Sequence, residues 1–327
     1  MKLSPNDFGN GLEQHVLTLL WRHWAALGAA THVPAEDRYP LDLEALLCAT
    51  RVLSEHDGRL DKLASEWLSA NGGLVSASRL GRIRRDFEKT AGHVKVALVQ
   101  PGMSMRLDGW LGRHGSPVGQ PDSGAGRSGS RPSLEDAKAS RSTEKSAWVS
   151  APPVWPAAAQ LTLRRLFGVN ARAEVLLYLL SGAAGSSAGI ARSVGYDQKS
   201  VYRVLESWVE AGMCSRPGTA ARRGYGLTRT GEWQRLLGFD TPVAFVDWPS
   251  ALLPLLLLLR AASAAPRQDD SYLLSSLMRD LDAPLASTCR LFRLPFPDSR
   301  TRPGAAFFEP AAKAVLDLAG AMAGEEG

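Results

Sequence analysis

Three glycines, Gly182, Gly195 and Gly212, cut residues 170–238 into short pieces whose apolar residues repeat at helical spacing. Val175, Leu176, Leu179 and Leu180 form the stripe of an amphipathic helix behind Asn170, a residue able to cap it, and Gly182 stops it. Ser187–Val194 forms a second, shorter helix with Ile190, Ala191 and Val194 inward, and Gly195 permits the left-handed turn that follows. Asp197 then caps a third helix over Gln198–Ala211, in which Val201, Val204, Leu205, Trp208 and Val209 share a buried face. The opposite face carries Lys199, Tyr202, Arg203 and Glu206. Two strand-like pieces, Met213–Arg216 and Tyr225–Thr228, flank the glycine-bounded basic stretch PGTAARRG.

Helix, helix, turn, helix and a basic-tipped hairpin describe a winged helix-turn-helix. The stretch IARSVGYDQKSVYRVLESWVEAGM resembles the second and third helices of bacterial winged-helix transcriptional regulators of the MarR and ArsR kind. The resemblance covers about a fifth of the chain. It implies that the third helix enters the DNA major groove by its N-terminal end. Gln198, Lys199 and Ser200 then reach base edges from the first turn, with Tyr202 and Arg203 one turn on. Arg222 and Arg223 sit at the wing tip, against the backbone or the minor groove. Glu206 and Glu210, on the outer face, would repel phosphate, which confines contact to the first two turns.

Charge agrees. Residues 160–237 hold eleven basic against five acidic side chains, while the whole chain is only +5. Lys and Arg neutralising phosphate supply most non-specific DNA affinity, so this concentration points to double-stranded DNA. A solvated face, or a winged helix that grips protein, accounts for the same charge.

Outside this stretch the sequence predicts a mainly α chain in four parts: an all-helical domain over 1–111, a flexible Gly/Ser/Pro linker over 112–156, the winged helix over 157–238 and a helical C-terminal region over 239–327. Residues 1–111 carry thirteen basic and thirteen acidic side chains and so are neutral. Arg79, Arg82, Arg84 and Arg85 follow a helix–Gly–helix pattern, either a second helix-turn-helix or, more commonly, an arginine-rich solvent edge in which Arg82 and Arg85 pair with Asp86 and Glu88. Asp37, Asp42 and Glu44 read as solvated, and Arg164 and Arg165 as phosphate contacts or solvent-facing. The run Leu255–Leu259, closed by Pro254 and Arg260, is far short of the roughly 20 residues of a membrane span and reads as a buried helix or dimerisation element. The C-terminal helices are expected on the winged module or on its copy in a homodimer.

No catalytic motif, cofactor fingerprint or metal-ligand spacing is present, and three scattered cysteines suit a reducing cytoplasm. The expected function is a non-enzymatic, sequence-specific DNA-binding transcriptional regulator, with the N-terminal domain open to a protein partner or small-molecule effector. An antitoxin-like or scaffold interaction module is the alternative.

Overall fold

The computed structural model describes residues 3–96, 156–216, 224–238, 244–264 and 271–325. Among them the chain is mainly helical, with one two-stranded antiparallel sheet. In order come α1 (Pro5–Ala26), α2 (Leu43–Leu53), α3 (Arg59–Asn71) and α4 (Ala77–His93), then α5 (Ala159–Phe167), α6 (Ala171–Leu180), α7 (Ser187–Val194) and α8 (Gln198–Glu210). The strands β1 (Cys214–Ser215) and β2 (Gly226–Leu227) follow, then α9 (Thr230–Leu236), α10 (Trp248–Ala264), α11 (Ser271–Asp280), α12 (Asp282–Leu291) and α13 (Phe308–Ala323). Ser4, Asp42 and Ser76 cap α1, α2 and α4, each side chain accepting from a backbone N–H three residues on.

Two apolar cores form. The larger joins α1–α4 to α10–α13, from Phe8 and Trp24 to Trp248 and Met322. The smaller gathers α6–α8 and the hairpin around Leu176, Ile190, Val201, Leu205 and Tyr225. The C-terminal helices therefore complete the N-terminal core, which corrects the expectation that they pack on the central module. Leu255–Leu259 are fully buried there, which removes that run from consideration as a dimerisation surface. The reason is the sequence itself: α10 is apolar all round and needs cover on every side. Gly9 lets α1 cross α10 closely, since a Cβ there would lie 3.1 Å from the Ala262 Cβ. Arg38 ties the far end down by donating to the Ala321 and Met322 carbonyls at 3.0 and 2.9 Å, where the helix dipole favours a cation. Leu273 of α11 is half exposed, and Leu166 of α5 is exposed.

α5 serves both cores. Ala157, just ahead of the helix, and Leu161 face the larger one, Ala159 and Leu163 the smaller. Gln160 and Arg164, also four residues apart, run between those two stripes. One helix thus carries two apolar faces and a polar seam at the i, i+4 spacing that stacks side chains along a helix.

Candidate nucleic-acid interface

The leading end of α8 is set by a turn, a cap and a buried face. Gly195 adopts φ +70°, ending α7 in the left-handed conformation that glycine takes without strain. Asp197 accepts from the Ser200 N–H at 2.8 Å and caps α8. Val201, Leu205 and Trp208 bury the inner face. Gln198, Lys199, Tyr202 and Arg203 are exposed together on the other side, and Ser200 is half-buried beside them. Arg222 and Arg223 lie outside the described residues.

The hairpin is pinned to α8. Cys214 pairs with Leu227 and Ser215 with Gly226, and Gly185, between α6 and α7, bridges Tyr225 as a further extended piece. The Tyr225 hydroxyl donates to Glu206 Oε1 at 2.5 Å, and Arg216 Nη2 donates to Oε2 at 2.8 Å. The Arg216 guanidinium also lies over the Tyr225 ring, 5.8 Å from its centroid. Burial, then the bond to Glu206 and its charge, push the Tyr225 hydroxyl up to about 12. Glu206 is thereby engaged and its charge balanced by Arg216, which corrects its reading as a free carboxylate on the outer face. Glu210 is exposed.

Arg165, Arg172, Arg192 and Arg235 are exposed, whereas Arg229 lies 3.8 Å from Glu232.

Behind α8, a buried ionic network joins the two cores. Arg164 donates to both Glu44 carboxylate oxygens at 2.7 Å and through Nε to Glu174, also at 2.7 Å. Arg79 donates to Glu44 Oε2 at 2.6 Å, to both oxygens of Asp42, and through Nε to the Val194 carbonyl at 2.8 Å. Gln160 donates to Glu174 at 3.0 Å and accepts from the Leu43 N–H at 2.8 Å. Burial alone would raise the Glu44 carboxyl, but the charges of Arg164 and Arg79 outweigh it and hold it at about 2. Burial works against charge on both arginines, and their carboxylate partners overcome it and raise them.

Four expectations are corrected here. Asp42 and Glu44 are buried instead of solvated, and Arg79 and Arg164 are buried instead of lying on a solvent edge or on phosphate. A charge among apolar neighbours was the available sequence signal: Glu174 sits inside AEVLLYLL, where only a buried partner makes a carboxylate tolerable.

A small cleft of about 280 Å³, open solvent included, borders the network at Asp42, Arg79, Gln160, Glu174, Phe245 and Trp248. Its polar groups are bonded to one another. No known family matches the chain, nor does any curated protein or solved structure.

Proposed function

We propose that the chain is a sequence-specific DNA-binding regulator in which residues 157–238 act as a winged helix. The observation that carries this reading is the exposed row on α8. Gln198, Lys199, Tyr202 and Arg203 face outward from a capped helix end, while Glu206 is balanced by Arg216. That leaves hydrogen-bonding and cationic groups at the end of the helix that enters a major groove in this type of reader. Lys199 and Arg203 serve phosphate or guanine, and Gln198 suits the paired donor and acceptor of adenine. Glu210 limits contact to the first two turns.

The experiment is fluorescence anisotropy on duplex DNA from upstream of the chain's own gene, beside a scrambled duplex, over a salt series. Preferential binding that weakens steeply with salt supports the reading, with Lys199→Ala and Arg203→Ala each flattening the slope and Gln198→Ala changing preference. No binding at low salt sinks it and leaves the protein-interaction alternative.

A further inference from the structure

α4 touches the connection that precedes α8. Arg79 Nε bonds the Val194 carbonyl at 2.8 Å. Its side chain lies so close to Gly195 that a Cβ there would be 3.1 Å from Nε. One turn earlier, the Tyr196 hydroxyl bonds Ser76 Oγ at 3.3 Å. The first turns of α4 are therefore fixed against the α7–α8 corner.

The next turns carry Arg82, half-buried, and Arg85 and Lys89, both exposed. Their i, i+3, i+7 spacing places them in one row. Arg85 folds back along α4, with Nη1 3.5 Å from where a Gly81 Cβ would stand, toward the end that meets α8. Glu88 lies 3.8 Å from Arg84, one turn back along the helix. Arg82 is also an electrostatic neighbour of Asp197, whose carboxyl is held low first by its bonds to Ser200 and in lesser part by that charge. Asp197 must stay ionised to cap α8 well, yet it puts a negative charge at the end that would approach phosphate. Arg82 offsets it.

We propose that Arg82 and Arg85 of the helical body form a second phosphate-contacting row beside the leading turn of α8, so that duplex DNA is held by both cores at once. This rests on the DNA-binding reading above. The body contributes affinity without sequence information, because its contacts are to backbone phosphates. The buried Arg79–Asp42–Glu44–Arg164 network keeps the two rows in one geometry.

The test uses the full chain with the Arg82→Ala, Arg85→Ala double variant in the same anisotropy series. Two lost phosphate contacts lower the salt slope by about 2 and weaken binding about tenfold at low salt, equally on the native and scrambled duplexes. The Arg82→Lys, Arg85→Lys variant keeps the charges and retains the slope. An unchanged slope in the alanine variant, with Lys199→Ala still weakening binding, overturns the proposal and leaves the reading of α8 intact. A lysine variant as weak as the alanine one also overturns it, because the loss would then not be one of charge. Absence of binding by the native chain removes both.

Discussion

Arg164 grips both oxygens of Glu44 at 2.7 Å across 120 residues of chain. The same guanidinium also donates to the Leu74 carbonyl at 2.8 Å and to Glu174. A planar fork so used has one orientation, and a lysine could not reproduce it. Two buried guanidiniums face three buried carboxylates, and backbone N–H groups from Leu43 (through Gln160), Ala45 and Ser76 help to satisfy the acceptors. The seam joining the cores thus carries a dense set of directional bonds, and it specifies how they meet.

Removing one member leaves the others buried and uncompensated. Arg164→Met is expected to destabilise the chain by about 3–5 kcal/mol, the usual cost of breaking a buried pair. Because the two apolar cores remain intact, urea unfolding followed by tryptophan fluorescence and by far-UV circular dichroism should cease to coincide. A loss below about 1 kcal/mol with coincident transitions would show that the seam does not hold the cores together.

Acid should act in two stages. His23 is buried edge-on to Trp248, with ring centroids 4.6 Å apart, and burial lowers its pKa from 6.5 to about 4. The folded state refuses a proton that the unfolded state accepts between those values. Stability is full above pH 6.5 and falls toward pH 4 by about 3 kcal/mol. Glu44, lowered from 4.5 to about 2, contributes stability present above 4.5 and lost as pH falls through its folded value. His23→Gln should abolish the first stage and keep the second. The check is denaturant unfolding at pH 7.5, 5 and 3.5, and an unchanged upper stage in the variant would contradict the assignment.

The helices were legible because period and punctuation agree. Asn170 and Asp197 cap where the sequence places them, and the stops at Gly182, Gly195 and Gly212 fall at helix ends. The α8 side chains face outward as the spacing predicts. Tertiary pairing was not legible. Asp42, Glu44 and Arg79 look like surface groups because their partners lie on other elements, up to Val194 and Arg164. The same holds for Glu206, whose partner Tyr225 belongs to the hairpin. Nor could spacing show that α10 completes the N-terminal core, since an all-apolar helix fits any core large enough to surround it.

Gly195 has two constraints where Gly182 has one. Both adopt positive φ, +70° and +75°, but only Gly195 has a neighbour within reach of a Cβ, the Arg79 side chain. Gly182→Ala is expected to cost about 1–2 kcal/mol, the left-handed penalty alone. Gly195→Ala should cost more and displace Arg79 from the Val194 carbonyl. Thermal midpoints of the two variants, beside those of each combined with Arg79→Met, measure the difference. Equal costs in all backgrounds would mean that Arg79 moves aside freely.

The bond between Tyr225 and Glu206 makes a last prediction that separates anchoring from repulsion. A free carboxylate on a groove-facing helix weakens DNA binding, so Glu206→Gln would strengthen it. Here the carboxylate accepts from both Tyr225 and Arg216, so the same change frees Arg216 and loosens the hairpin. Tyr225→Phe should cost about 1.5–3 kcal/mol, as expected for a hydrogen bond to a charged group. Glu206→Gln should cost a similar amount, and the double variant little more than either alone. Hydrogen exchange at the Gly226 and Leu227 amides reads the loosening directly. Tighter DNA binding by Glu206→Gln with unchanged exchange would restore Glu206 to the free, repelling role and remove it as the anchor of the hairpin.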